Sequence, residues 1–460
     1  MSSKRLITVA TAATAALALA GCAGGQAGAG GGGNGGGGAN GGGDSAACAN
    51  TVVHPDAEQV TVWAWYPAFE GVVDVFNEAN DDVQVCWVNA GVGKDVYPKF
   101  STALEAGSGA PDVIQLENEV IPSFTIRNGL VDLVEYGIGD KEDQYAPGAW
   151  KDVSSGDAVY AVPVDLGPVG MLYRADILEE FDIEVPTTWD ELADAAKELK
   201  DAGSESFLAN YPTNGRAFSQ ALFAQAGNQP FDFSTENVEE IGINVNDAAT
   251  KQVLEYWFEL IDAGVVSADD RSTPDFNTAV VNGRHATYLA AAWGPGYLMG
   301  LEEEADPDAR WAAAPLPQWD ADNPVYVNWG GSSFGVTSQA GNPELSARVA
   351  SELFGTDEAW KVGIEEGALF PTYLPVLESD YFVELEYPFF GGQKIQKDVF
   401  IEAANAYEGF TFSPFQTFAY DQLTEAQASI LNGNATIDEA LASYQQKLEE
   451  YATAQGFTLK

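Results

Sequence analysis

Two histidines, His54 and His285, and three cysteines, Cys22, Cys48 and Cys86, are the entire stock of imidazole and thiol in 460 residues. That scarcity narrows the chemistry at once. Gly331-Ser332-Ser333-Phe334-Gly335 fits the G-x-S-x-G turn that exposes a nucleophilic serine. That fold orders its triad serine, then acid, then histidine, and here both histidines precede Ser333. The match is fortuitous. Glycoside hydrolysis needs two carboxylates flanking the bond, about 5–5.5 Å or about 6.5–9.5 Å apart. With 69 acidic residues such pairs are unavoidable, and no recognisable acid/base motif accompanies them. Metal capture asks for His, Cys or clustered carboxylates at ligand spacing, and no EF-hand loop is present. No metal site and no cofactor are expected. What the chain does offer is adhesive: Trp63, Trp65 and Tyr66 end one β-like run, and Glu117 with Asn118 follows another. Flat aromatic faces beside hydrogen-bonding groups hold a ligand without transforming it.

The elements that would position these side chains alternate. Val60-Thr61-Val62-Trp63-Ala64-Trp65 is β-branched and aromatic, 69–80 places Val72, Val73, Phe76 and Ala79 on one helical face, and 83–88 is strand again. A helix over about 96–106 stops at Gly107, and Asp112-Val113-Ile114-Gln115-Leu116 follows as strand. Strand and helix in turn argue for an α/β sheet covered on both faces. Open sheets of this kind put their binding crevice beyond the carboxyl ends of the strands, which is where Trp65, Tyr66, Glu117 and Asn118 fall. Because Trp63 and Trp65 alternate, one is expected to face the core and the other the crevice, with Trp65 and Tyr66 assigned to the crevice. Strands over 159–164 and 170–173 bracket Asp165-Leu166-Gly167-Pro168. Thr188-Trp189-Asp190-Glu191 is a capping box that starts a helix reaching Asp201 and stopped near Gly203. Further helices are expected at 247–263, 343–353, 357–366 and 436–452, and there is no repeat of solenoid period.

Lys4 and Arg5 precede an apolar stretch from Leu6 to Ala20 that runs into Gly21-Cys22. This is a secretory signal over 1–21, too short to span a bilayer stably. A cysteine directly after small residues resembles a bacterial lipobox, which implies a diacylglyceryl group on the Cys22 thiol. The alternative is an ordinary cleaved signal with an incidental cysteine. Two or more acyl chains, at roughly 0.8 kcal/mol per buried methylene, anchor stably. Residues 22–47, mostly glycine, would then be a lipid-anchored tether with a reach of roughly 25–30 Å. With Cys22 taken by lipid, Cys48 and Cys86 form an even pair outside the cytosol and are expected to bridge; two buried free thiols are the alternative. Net charge is −48, which repels nucleic acid and anionic headgroups and disfavours phosphorylated or sulfated ligands. The same charge also serves as a solvated surface that keeps an exported protein soluble. About 410 residues follow the tether, enough for two lobes.

Several pieces then fall in a telling order. They are Val60-Thr61-Val62-Trp63, Gly109-Ala110-Pro111-Asp112-Val113-Ile114, Tyr160-Ala161-Val162-Pro163 with Met171-Leu172-Tyr173-Arg174, and Val185-Pro186-Thr187-Thr188-Trp189-Asp190-Glu191-Leu192. Trp329-Gly330-Gly331-Ser332 and Thr356-Asp357-Glu358-Ala359-Trp360 complete the set. From about Glu58 to the end the chain resembles the carbohydrate-binding extracellular solute-binding proteins of ATP-binding-cassette (ABC) importers, the group of maltose-binding protein. The resemblance implies a two-lobed, periplasmic-binding-protein-like α/β fold with hinge-linked lobes and a central ligand cleft. It places the first lobe at 58–165, the second at 166–313, a return to the first at 314–390, and C-terminal helices mainly on the second at 391–460. Crossings are expected near 163–168, 314–317 and 389–392. Asp165 would sit at the first of them. Trp293, Trp329 and Tyr373 fall where the resemblance puts cleft aromatics, with Phe415 and Gln416 beside them, and Gly330 and Gly331 would let backbone approach the ligand. The implied function is a lipid-anchored, monomeric receptor on the extracellular face of the cytoplasmic membrane. It would capture a neutral oligosaccharide and pass it to ABC permease subunits, with neither nucleic acid as partner nor catalysis. A glycoside hydrolase and a peptide receptor of the same fold are the alternatives.

Overall fold

The computed structural model describes residues 48–301 and 309–460; the signal, Cys22 and the glycine tether lie outside the described residues. Apolar strands start the architecture. Val60 and Val62 are buried in the strand Glu58–Trp63, and Val83, Gln84, Val85 and Cys86 are all buried in Val83–Val88. A strand buried on both faces needs helices on both sides. The helix Phe69–Ala79 supplies one cover with Val72, Val73 and Phe76, and Gly93–Ala106 supplies another with Val96, Phe100 and Ala103. The second helix ends at Gly107, whose φ of 70° accepts the left-handed cap.

The first sheet has the spatial order Val83–Val88, Glu58–Trp63, Val113–Glu117, Ser332–Val336, Val162–Asp165. Its first three strands run parallel, with Val60 opposite Val85 and Val62 opposite Val113. Ser332–Val336 arrives from far along the chain and inserts antiparallel, with Ser333 opposite Leu116 and Ser332 opposite Asp165. A disulfide joins Cys48 to Cys86. It fixes the start of the described chain along the outer edge of this sheet, where Ala49 N donates to Trp87 O at 2.7 Å and Trp87 N donates to Asn50 Oδ1 at 2.8 Å.

The second lobe is built on the antiparallel sheet Thr287–Ala291, Val169–Arg174, Trp311–Pro315. Its core gathers Trp189, Tyr211 and Trp257, with Tyr211 stacked on Trp257 at 5.1 Å. The capping box at Thr188 and Glu191 is formed, as is a second at Thr436 and Glu439. Two α/β lobes result. Among the described residues no helix is long and apolar enough to cross a membrane.

One lobe boundary differs from expectation. Residues after Ala314 do not return directly to the first lobe: Leu316 and Val327 lie in the second core, Pro317 O accepts from Gln225 Nε2, and Gln318 bridges Thr188. The prolines around 315–317 read as a linker but bind to the second lobe, and the return occurs only at 328–331. After the turn at Gly391 and Gly392, with φ of 66° and 83°, the chain lies against the second-lobe sheet: Gln393 Nε2 donates to Ala313 O at 2.8 Å, Ala313 N donates to Gln393 Oε1 at 2.9 Å, and Val399 and Phe400 face Gly170. The core that gathers Trp189 and Trp257 takes the chain from Phe415 through Ala452.

Candidate functional site

Three crossings between lobes meet in one place. The first is Leu166-Gly167-Pro168, between the strands Val162–Asp165 and Val169–Arg174. The second runs antiparallel against it, with Pro168 bridged to Asn328. Trp329 N donates to Gly167 O at 2.7 Å, and Gly167 N donates to Asn328 Oδ1 at 2.6 Å. Gly330 and Gly331 then turn the chain at φ of 89° and 96°, which L side chains rarely adopt, and Gly331 O accepts from Asn118 N at 3.1 Å. The third runs along 370–372, where Leu166 N donates to Phe370 O at 3.0 Å and Thr372 N to Val164 O at 3.1 Å; the nearby segment 407–413 is held by Asp152. Its carboxyl accepts from Tyr407 Oη at 3.1 Å and from Phe410 N at 2.8 Å. Burial pushes Asp152 up to about 7 against those hydrogen bonds.

Against these crossings lies a cleft of about 280 Å³, near the lower end of small-molecule pockets, ~300–1,000 Å³. The first lobe contributes Glu119. The second contributes Ala217, Gln220 and Ala224 from the helix Arg216–Gln225, and Tyr420 from Gln416–Leu431. The second crossing and the segment 407–413 supply Tyr326, Asn328, Trp329, Gly330, Tyr407, Phe410 and Phe412. Tyr420 Oη donates to Glu119 Oε2 at 3.0 Å from the opposite lobe. Arg216 faces the same ring, its guanidinium carbon 5.5 Å from the Tyr420 centroid, and pairs with Asp421 at 2.6 Å.

The carboxyls here are perturbed mainly by lost water. Burial, then the charge of Glu117, raise Glu119 to about 8, while Tyr420 and Arg216 pull the other way. Burial also raises Glu117, whose Oε2 accepts from Tyr97 Oη at 2.8 Å. Asp165 rises to about 6, again by burial, opposed by the Ser332 hydroxyl and amide. Ser332 N donates to Asp165 Oδ1 at 3.1 Å, and Ser332 Oγ sits within hydrogen-bonding distance of both Asp165 and Tyr66. Among the described residues no group of three or more His, Cys, Asp or Glu is placed to hold a metal ion. Such a cleft can wrap a polar ligand; it presents no nucleophile paired with a histidine.

Residues 60–360 match the family described as bacterial extracellular solute-binding protein. The chain belongs to this family. It is similar to the lactose-binding protein of Rhizobium radiobacter, 24% identical over 359 residues that make up 74% of this chain and 80% of that one. It is also similar to the arabinooligosaccharide-binding protein of Halalkalibacterium halodurans, 23% identical over 287 residues, 60% of this chain and 62% of that one. Among solved structures, the ABC transporter associated binding protein of B. animalis subsp. lactis in complex with beta-1,6-galactobiose aligns at TM-score 0.75. It is 28% identical and covers 88% of this chain and 100% of its own. The galacto-N-biose-/lacto-N-biose I-binding protein of Bifidobacterium longum aligns at TM-score 0.76 and 22% identity over 88% of this chain and 99% of its own, and shows the fold alone. The family is one of binding proteins rather than of enzymes.

This solute-binding protein gathers only part of the expected site residues around its cleft. Trp329 and Gly330 line it directly. Trp293 stands behind them, its ring edge-on to Trp329 at 4.8 Å and its Nε1 donating to Trp329 O at 3.4 Å. Gly331 and Asp165 form the adjoining crossing and are joined through Ser332. Glu117 lies next to Glu119 on the first-lobe side, and Trp65 remains half-exposed, edge-on to Tyr97 at 6.1 Å.

Six expectations are corrected. Tyr66 is 5% exposed and packs inside the first core against Phe69, Phe334 and Phe354. Asn118 is buried, with Oδ1 accepting from Ser333 Oγ at 2.6 Å, so it ties two strands together. Phe415 belongs to the second core and Gln416 is buried behind the cleft, where its Nε2 donates to Gln220 Oε1 at 2.8 Å. Tyr373 pairs with Tyr145 at 5.6 Å within the first lobe and does not line the cleft. Trp63 and Trp65 do not point to opposite faces: residues two apart on a strand share one, and both are half-exposed while Val62 and Ala64 between and beside them are buried.

Glu119, Arg216, Gln220, Phe410 and Tyr420 were not anticipated. A short turn of helix, Asn118–Val120, follows the strand ending at Glu117 and swings Glu119 toward the second lobe. The one signal available was the acidic pair Glu117 and Glu119 after an apolar strand. Tyr420 lies four residues beyond Gln416, on the same helical face.

Proposed function

We propose that this protein captures a neutral carbohydrate of oligosaccharide size between its lobes and presents it to the permease subunits of an ABC importer. It acts as a monomer held at the extracellular face of the membrane by lipid on Cys22. The observation that carries the reading is the composition of the cleft. Rings of Trp329, Tyr326, Phe410 and Phe412 offer flat apolar faces, while Gln220, Asn328, Glu119 and Tyr420 offer hydrogen bonds around them. A sugar has that pairing of C–H faces and hydroxyl rims. The names of the two relatives, lactose-binding and arabinooligosaccharide-binding, agree with it. With Glu119 on one lobe and Tyr420 on the other, a ligand touching both favours the closed arrangement, and closure is what a permease would read.

The test is thermal unfolding of residues 48–460 against mono-, di- and oligosaccharides and against peptides. A ligand selective for the folded state adds about 2.7 kcal/mol at a hundred times its Kd, a shift that grows with concentration. A shift with sugars that are recovered intact supports the reading. Sugar consumed during the assay would point to a hydrolase, and a shift with peptides alone would overturn the ligand class.

A further inference from the structure

One charge in the second lobe is out of place for a protein of net charge −48. Arg271 is 5% exposed, yet its hydrogen bonds go to neutral oxygens. Nε donates to Asn210 Oδ1 at 2.9 Å, one terminal nitrogen to Leu289 O at 2.8 Å, and the other to Asn210 O at 3.1 Å. The rest of its surroundings is aromatic. Its guanidinium carbon lies 4.5 Å from the Phe218 centroid, 5.0 Å from Tyr288 and 5.8 Å from Trp329. Burial draws it down to about 10, so it remains a cation at neutral pH.

The geometry explains why a cation is tolerated there. A guanidinium is planar and weakly hydrated, and can donate in its plane while its faces meet π-clouds. Here the in-plane bonds join the strands Ala209–Asn210 and Thr287–Ala291. The ring contacts lead to the cleft, because Phe218 lies 5.3 Å from Trp329, and Trp329 is the indole that both lines the cleft and crosses between lobes. Trp329 is thus held on three sides, by Trp293, Phe218 and Arg271.

We infer that Arg271 is a positioning residue for ligand binding: it fixes the aim of the Trp329 indole, so affinity depends on a side chain the ligand does not touch. This rests on the carbohydrate cleft proposed above. Arg271→Lys keeps the charge and removes the planar fork, so one side chain can no longer join both strands while facing Phe218.

The experiment is a double-mutant cycle with lactose and beta-1,6-galactobiose as probes, using Arg271→Lys, Trp329→Ala and the double variant. Alongside it, the 19F spectrum is recorded of protein labelled with 5-fluorotryptophan, the Trp329 signal being assigned by its loss in Trp329→Phe. Each single variant is expected to weaken binding about tenfold or more, and the double variant to bind no more weakly than Trp329→Ala alone, since coupled residues are not additive. The Trp329 signal is expected to move in Arg271→Lys. Additive losses, or an unmoved Trp329 signal, overturn the inference. If Trp329→Ala binds both sugars as well as the parent, the cleft reading falls; in that case, or if neither sugar binds the parent, the fluorine signal alone decides the role of Arg271. Should Arg271→Lys not fold, Asn210→Ser, which removes the Nε acceptor together with the Asn210 Nδ2 bonds to Ser267 O and Asp269 O, is put through the same two measurements.

Discussion

Gly167→Ala should be the most informative single methyl group added to this protein. Gly167 is buried where the first two crossings touch. A Cβ there would lie 2.0 Å from Trp329 O and 2.9 Å from Trp329 C. Both are backbone atoms, so no side chain can swing aside; the second crossing must move by more than 1 Å to restore ordinary contact. That movement breaks the 2.7 Å bond from Trp329 N to Gly167 O and the 2.6 Å bond from Gly167 N to Asn328 Oδ1. Overpacking typically costs ~1–3 kcal/mol, and each of the two lost hydrogen bonds ~0.5–1.5 kcal/mol, so destabilisation of ~2–6 kcal/mol is expected. Gly167 is not among the positive-φ residues, so the effect is steric and not conformational. Gly391→Ala is the matched control: φ is +66° and nothing lies within 4 Å of an added Cβ. Its expected penalty is backbone strain of ~1–2 kcal/mol with unchanged affinity. Urea unfolding followed by far-UV circular dichroism gives the stability, and titration with lactose gives the Kd. Gly167→Ala should lose both stability and affinity, because Trp329 moves with the crossing. Stability within ~0.5 kcal/mol of the parent, with affinity intact, would show that the crossings do not meet as described.

Three further outcomes are expected. Glu119 carries a proton in the folded protein up to about pH 8 that the unfolded chain releases near 4.5. Its contribution to stability is therefore full below pH 4.5 and falls by at most ~1.4 kcal/mol per unit as pH rises toward 8; Glu119 keeps some solvent contact, so that slope is a ceiling. Glu119→Gln should flatten the profile in that window when melting temperature is measured against pH, and an identical slope in both proteins would refute the assignment. Trp329→Ala should weaken carbohydrate binding by ~2 kcal/mol, as expected of a buried aromatic anchor, with little change in circular dichroism; calorimetric titration checks it. Reduction of the Cys48–Cys86 bridge, which closes a span of 38 residues, should lower stability by ~4 kcal/mol in the chain-entropy picture. Thiol counting by mass spectrometry on the exported protein decides whether the bridge forms.

The strands, the helices and their caps were legible because each is written locally. Val60 to Trp63 alternates in burial, Val72, Val73 and Phe76 recur on one face, and Thr188 and Glu191 announce a helix start within four residues. The crossings were legible only where a strand ends beside glycine and proline, as at Leu166-Gly167-Pro168. The same cue misled at 314–317, since a proline ends an element without saying which lobe receives the next one. That decision belongs to apolar residues downstream: Leu316 and Val327 are captured by the second core.

The cleft was harder still, and for a related reason. Whether an aromatic side chain faces ligand or core depends on what covers its strand, and that cover comes from distant sequence. Tyr66 is closed off by Phe334 and Phe354, and its hydroxyl lies 2.9 Å from Ser332 Oγ, 266 residues away. Glu119 meets its partner in Tyr420, 301 residues further on. Sequence supplied the kinds of groups, rings and hydrogen-bonding side chains, but the choice among them was made when the strand Ser332–Val336 entered the first sheet. That insertion buries Tyr66 and Asn118, brings Trp329 to the junction, and leaves Glu119 facing the other lobe. The geometry of the cleft is therefore a consequence of the second crossing, and substitutions along 328–332 should change carbohydrate affinity more than equally exposed changes at Trp65 or Tyr373.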